Sequence, residues 1–286
     1  MTWDGEPRVS LAFEDHWGVE IGPDLPSDYV RAASRNFFVS LVARVYRPGC
    51  QSDVMVVFEG AQGIRKTSAL RLLGGDWYGQ AAESVQSKDF FAALQGKWLI
   101  EIGELDAFSR AEVTRVKTVI STPVDRYRPP YGRTAADYPR QCIFAGTTNK
   151  SDWGTDETGL RRFWPMPCGA INLATLASAR SQLFAEAVYL YDEGVTWWEM
   201  PGDETRAVQA TRQADHAWEE VILADLMMAS ETTVIDVLTK ILKFNLSDIG
   251  RSDELAVGAI LRRAGWVKRP ARRQGRLTKV WFPPES

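Results

Sequence analysis

The sequence predicts an α/β fold: a core built on a phosphate-binding loop, a helical lead before it and a small helix-and-hairpin module after it. Three stretches carry that expectation. Residues 54–68 read Val-Met-Val-Val-Phe-Glu-Gly-Ala-Gln-Gly-Ile-Arg-Lys-Thr-Ser, a run of β-formers, a glycine-bearing turn, then Lys66-Thr67 opening a helical pattern. Strand, glycine loop, Lys-Thr and helix in that order are the context a P-loop requires, whose backbone N–H groups and helix N-terminus favour an anion; a glycine-containing strand-to-helix turn with a snorkelling lysine accounts for the same residues. Residues 98–102 and 141–149 are largely apolar runs ending in polar residues, as buried parallel strands do. Residues 204–281 then read as helices followed by a basic hairpin.

The totals are those of a soluble globular chain: 286 residues, 45% hydrophobic and 25% charged. The length suits one large domain, or one with a small companion. A formal net charge of -3 gives no whole-chain sign of a nucleic-acid partner, so such a sign must come from local clusters. Cys50, Cys142 and Cys168 lie far apart, with no CxxC pair, which argues against a zinc site or a disulfide framework. The opening Met-Thr-Trp-Asp-Gly-Glu-Pro-Arg is no signal peptide, and no apolar run approaches the ~18 residues of a membrane span. A reducing cytoplasm and no membrane partner are expected.

Residues 1–50 form the lead. His16 is expected to be a surface or satisfied side chain. From Pro26 a helix is expected, with Ser27 as N-cap and a buried stripe of Tyr29, Ala33, Phe37, Leu41 and Val45. Arg31, Arg35 and Arg44 are placed on its solvated side.

The core spans residues 51–200. Gly60, Gln62, Gly63, Lys66, Thr67 and Ser68 are its candidate nucleotide-binding residues. Lys66 would reach the β- and γ-phosphates, and Thr67 would offer its hydroxyl to Mg²⁺. Arg65 departs from the pattern, which wants glycine there. It either tolerates a helical conformation or weakens nucleotide binding. A short helix is expected over 83–95, then the strand 98–102 with acids Glu101, Glu104 and Asp106 at its end. Such acids hold Mg²⁺ and orient the attacking water, and a buried Glu101 without a partner would be costly.

A helix over 108–120, capped by Ser109, carries Arg110, Arg115 and Lys117. The loop or irregular hairpin that follows interleaves Arg126, Arg128 and Arg133 with Tyr127 and Tyr131. Cations neutralise phosphates and aromatic rings stack on bases; a proline-stiffened surface loop whose arginines pair with acids accounts for the same residues. Asn149 ends the strand 141–149, where it would hold a water or a γ-phosphate. Arg161 and Arg162 open a further strand, and a helix follows over 173–193. Either arginine could reach a phosphate, in cis or across a subunit boundary.

A boundary is expected near Pro201-Gly202-Asp203. Residues 203–286 read as a helix over 204–228, two shorter ones over 233–244 and 252–264, and a hairpin. Helices followed by a hairpin are the order of a winged-helix module. From Arg262 to Trp281 there is no Asp or Glu, and Arg272, Arg273 and Arg276 give that stretch a local basic face.

Several of these residues together resemble the virulence-associated protein E family, phage- and island-encoded P-loop ATPases similar to superfamily 3 helicases. The set is Gly60-x-Gln62-Gly63-x-x-Lys66-Thr67, Trp98-x-x-Glu101-x-x-Glu104-Leu105, Lys117, Asp125-Arg126-x-Arg128-x-Pro130-Tyr131-Gly132, Thr147-Thr148-Asn149 and Gly159-x-Arg161-Arg162-Phe163. The resemblance covers most of residues 3–200. It implies an AAA-like ATPase core using ATP and Mg²⁺. Glu101 and Glu104 would be the Walker B acids, with Thr67 and Glu101 nearest the metal, and Asn149 would be sensor 1. Arg161 or Arg162 would be the arginine finger of a neighbouring subunit in a homo-oligomeric, hexameric ring. Lys117, Arg126, Arg128, Tyr131 and Arg133 would touch single- or double-stranded DNA in the pore. Relatives often carry a primase-like region upstream, so a separate primase is an expected partner and primer synthesis is not expected here. A P-loop protein that binds DNA and regulates replication or packaging without hydrolysing ATP is the alternative, and Arg65 is its evidence.

Overall fold

The computed structural model describes residues 2–81, 90–105, 108, 110–129, 132–151, 153, 161–213, 218–273 and 276–284. The chain forms two compact units, Met1–Thr205 and Arg206–Ser286. In chain order the first unit holds α1 (Ala12–Trp17), α2 (Ser27–Tyr46), β1 (Met55–Glu59), α3 (Lys66–Gly74), β2 (Tyr78–Gln80), α4 (Phe90–Ala93) and β3 (Leu99–Ile102). It continues with α5 (Arg110–Ser121), β4 (Val124–Tyr127), β5 (Ala136–Pro139), β6 (Ile143–Thr148), β7 (Phe163–Pro167) and α6 (Leu173–Asp192). The start of α7 (Gly202–Gln213) closes the unit.

Five strands form one parallel sheet in the order β2-β3-β6-β1-β7. All five residues of β1 and all six of β6 are buried, as strands covered on both faces must be. Alternation along β1 divides the two cores. Met55 and Val57 join Ile100, Ile102 and Phe144 under Val113, Val116 and Ile120 of α5. On the other face Phe58 meets Phe13, Trp17 and Phe37 from the lead, with ring centroids 5.3–6.0 Å apart. The lead is therefore part of the same unit as the sheet. Gly169 donates its N–H to the carbonyls of Trp17 and Gly18, both at 3.1 Å. A Cβ on Gly169 would lie 2.5 Å from the Gly18 oxygen, so only glycine permits this crossing.

Two expectations for α2 are corrected. The helix starts at Ser27, but its N-cap is Pro26, in an extended conformation, while the Ser27 hydroxyl donates to Asp28. Arg44 is buried rather than solvated, and its guanidinium donates to the carbonyls of Arg140 and Ser52, both at 3.2 Å. Those carbonyls supply the acceptors that a buried cation needs. Tyr29, Ala33, Phe37 and Leu41 are buried as the stripe requires, whereas Val45 at the helix end is exposed. Residues 82–89 and Ser109, in the helices expected over 83–95 and 108–120, lie outside the described residues. Val124–Tyr127 and Ala136–Pro139 form a regular antiparallel pair, β4–β5; Tyr131, between them in sequence, is also outside the described residues.

The three cysteines are free thiols. Burial raises the thiol pKa of each, that of Cys142 to about 12.

The second unit holds α8 (Glu219–Leu226), α9 (Val234–Asp236) with a wide turn continuing to Ile241, and α10 (Arg251–Arg263). The hairpin β8 (Val267–Arg273) and β9 (Arg276–Phe282) completes it. Ile222, Val237, Leu238, Val257, Ile260, Leu261, Trp266 and Trp281 make its own core. An antiparallel bridge joins Thr232 to Trp281. The helix expected over 204–228 is two helices, α7 and α8.

Candidate nucleotide-binding site

The carboxyl ends of β1, β3 and β6 meet at one crevice, where ligands bind in open parallel α/β sheets. β1 runs directly into the loop. Gly60 has φ 139°, and a Cβ there would lie 2.7 Å from the Ile64 side chain and 3.0 Å from the Cys168 carbonyl. Arg65 is neither helical nor extended. It takes the left-handed conformation, φ 77° and ψ 25°, that glycine serves in a standard P-loop. An L-residue there costs on the order of 1 kcal/mol. α3 then begins at Lys66, and Ser68 lies exposed in its first turn.

Lys66 is buried. Its ammonium donates to the carbonyls of Gly60 at 2.6 Å and Ala61 at 3.0 Å, and to Oδ1 of Asn149 at 3.2 Å. The loop lysine and Asn149, which follows the end of β6, thus meet in the structure. Glu101, on the neighbouring strand β3, is 1% exposed. Its Oε1 accepts from the hydroxyls of Thr67 and Thr147, each at 2.7 Å, and its Oε2 accepts from the Tyr78 hydroxyl. The partners that a buried carboxylate requires are therefore three hydroxyls. Tyr78 titrates above the usual tyrosine range, chiefly because it is buried and then because it donates to Glu101. Glu104 follows the end of β3, exposed and left-handed at φ 54°. Asp106 lies outside the described residues.

Sequence reasoning missed Tyr78, and it quoted Thr147 in the Thr147-Thr148-Asn149 motif without giving it a role. Thr147 had a usable signal, since it sits two residues before Asn149 and side chains alternate with period two. Tyr78 had none, because it arrives through a three-residue strand paired Tyr78↔Leu99, Gly79↔Ile100 and Gln80↔Glu101.

These groups enclose a cavity of about 360 Å³, lined by Gln62, Gly63, Arg65, Lys66, Thr67 and Ser68 on the loop side. Glu101, Glu104, Thr147 and Asn149 line it from the strand ends. Among the described residues no cluster of three or more His, Cys, Asp or Glu could hold a metal alone. Magnesium at a nucleotide site uses one or two protein carboxylates together with substrate phosphates. Thr67 and Glu101, already in contact, fit that smaller requirement.

The other predicted residues separate by exposure. Arg161 is exposed; Arg162 is half-buried and donates to the Lys117 carbonyl at 3.3 Å. Lys117 departs from expectation. It is buried, with its ammonium 5.8 Å from the centroid of the Phe163 ring, so it does not share a surface with the hairpin arginines. Arg126, Arg128 and Arg133 are exposed, and Arg126 pairs with Asp137 across the hairpin at 2.8 Å. Tyr127 packs on Tyr138, with centroids 4.7 Å apart. At the hairpin base Asp125 and Arg140 form a fully buried ion pair. Arg272, Arg273 and Arg276 lie on β8 and β9, where Arg273 pairs with Arg276 beside the turn; their side chains are not among those described. Among the described residues no helix is long and apolar enough to cross a membrane.

Comparison with solved structures finds the C-terminal region (305–718) of NrS-1 in its apo form at a TM-score of 0.51 and 15% identity, covering 99% of this chain and 77% of that one. A second apo form of that region gives 0.48 and 14%, with the same coverage. At such identity the likeness speaks to the fold. A search of curated proteins returns no match. The model of the virulence-associated protein E-like domain matches residues 1–217, most of the chain. With the P-loop, the buried acid and Asn149 brought to one crevice, the chain belongs to the virulence-associated protein E-like family.

Proposed function

We propose that this protein is an ATP-hydrolysing, DNA-binding motor of a phage or mobile element, similar to superfamily 3 helicases and acting in DNA replication in the host cytoplasm. The observation that carries the proposal is the pairing of Lys66 with Asn149 beside the hydroxyl-bound Glu101, all on one cavity at the carboxyl ends of the sheet.

The triphosphate would lie over the loop, at the N-terminus of α3. Lys66 exchanges the Gly60 and Ala61 carbonyls for phosphate oxygens, and Gly60, Gln62, Gly63 and Ser68 shape the cradle. Thr67 and Glu101 would hold Mg²⁺. When bound, the ion neutralises charge on the phosphate oxygens. Glu104, exposed at the rim, is the better placed of the two acids to orient the attacking water, because all three hydroxyl bonds described fall on Glu101. Asn149 fixes Lys66 and the water's far side.

Arg161 suits an arginine finger acting in trans in a hexameric ring, being exposed where Arg162 is tethered to α5. The exposed Arg126, Arg128 and Arg133 fit a phosphate-contacting hairpin, to which Tyr131 would add an aromatic contact. In the second unit, α8, the Thr232 bridge, α9, α10 and the β8–β9 hairpin follow the order of a winged helix. Arg272, Arg273 and Arg276 would contact DNA there, and a separate primase would supply primers.

Steady-state ATP hydrolysis, with and without single-stranded DNA, tests this for the native protein and Lys66→Ala. DNA-stimulated turnover that Lys66→Ala abolishes is the expected result. DNA binding with no turnover in the native protein would instead favour a hydrolysis-deficient regulator.

A further inference from the structure

We infer that Arg65 is a phosphate ligand supplied in cis, a second cation beside Lys66 for the polyphosphate of a nucleoside triphosphate. The inference rests on the nucleotide-binding reading above and reverses the meaning of the one position that departs from the P-loop pattern. By sequence alone Arg65 looks like a defect. In the structure the loop keeps its shape around it, because Arg65 adopts the left-handed dihedral that glycine would take.

That dihedral is unfavourable for any side chain, and such strain persists where something compensates for it. Packing does not compensate here, because Arg65 is exposed. No described residue hydrogen-bonds or ion-pairs with its guanidinium. What Arg65 does is line the cavity, together with Lys66, Glu101 and Glu104.

Charge supplies the compensation. The cavity lining carries two cations, Arg65 and Lys66, and two carboxylates, Glu101 and Glu104. With glycine at position 65, as in a standard P-loop, Lys66 would be the one cationic side chain in that lining. The arginine adds a second cation, and its planar fork of donors matches phosphate oxygens.

Titration with a fluorescent ATP analogue and Mg²⁺, together with nucleotide-free melting, tests this on the native protein, Arg65→Gly, Arg65→Ala, Arg65→Lys and Lys66→Ala. Arg65→Gly removes both strain and charge, and Arg65→Ala removes the charge alone. The expected result is that Arg65→Gly melts higher than the native protein yet binds nucleotide about tenfold more weakly, the loss of one charge-assisted contact. Arg65→Ala loses affinity equally without the gain in melting, and Arg65→Lys falls between. The difference between native and Arg65→Gly narrows as salt rises. Native-like or tighter binding by Arg65→Gly, with Lys66→Ala still defective, overturns the role of Arg65 and leaves the nucleotide site standing. No binding by the native protein, or binding indifferent to Lys66→Ala, overturns both.

Discussion

Glu101 is buried without a cation among the contacts described, and three hydroxyls hold it from three elements: Thr67 of α3, Tyr78 of β2 and Thr147 of β6. Glu101→Gln keeps the shape and loses the charge. It should cut ATP turnover by about 10²-fold or more while nucleotide binding persists; undiminished turnover in a steady-state assay would remove Glu101 from the chemistry. Tyr78→Phe deletes one donor and should cost about 1 kcal/mol in urea unfolding. The Tyr78 hydroxyl titrates above its ordinary value near 10, so the folded state holds that proton more tightly than the unfolded state. Its contribution is complete below pH 10 and declines as pH climbs past it. The native protein should therefore lose more stability between pH 10 and 11 than Tyr78→Phe. At this scale the sequence singled out Lys66, Thr67, Glu101 and Asn149 from the short pattern around each, and the structure gathers them at one cavity. The sequence hid Tyr78, whose contact depends on strand pairing, and the burial of Arg44 and Lys117, whose long stems carry charge inward to partners remote in sequence.

The β4–β5 hairpin shows how an element can be exposed at its tip and fixed at its base. Arg140 pairs with Asp125, with Nε to Oδ2 at 3.1 Å, and donates to the Val119 carbonyl near the end of α5. Arg44 of α2 reaches the Arg140 carbonyl, so α2, α5 and the hairpin share one buried polar knot. Asp125→Ala should destabilise the protein by about 3–5 kcal/mol, because it strands a buried guanidinium. Arg126→Ala, which breaks an exposed pair, should cost under about 1 kcal/mol and weaken DNA binding instead. Equal losses of stability in chemical denaturation would contradict this division. Periodicity exposed α2 and α6, and composition exposed the hairpin. The regular register of β4 with β5 was not readable, since proline and glycine there suggested irregular chain and the stabilising pair is remote from the tip.

For the whole molecule, the sheet order matters most. β6 lies between the loop strand β1 and the acid strand β3, so one strand borders both halves of the site. The lead, expected as a separate region, closes one face of that sheet through Phe13, Trp17 and Phe37, a partnership that no local pattern announces. If Arg161 acts on a neighbouring subunit, mixing Arg161→Ala with Lys66→Ala protein should recover turnover that neither variant has alone. No recovery in mixed assemblies would place the arginine's role within one subunit. The cysteines bear on how such assemblies could be watched. Burial holds all three thiols above their usual pKa, and reactivity resides in the thiolate. The folded protein should leave Ellman's reagent nearly colourless until denaturant is added. Given that silence, the chain is ready for site-specific dyes: one cysteine placed at exposed Arg128 would carry the label alone, so hairpin motion could be followed by fluorescence without first stripping the native sulfurs.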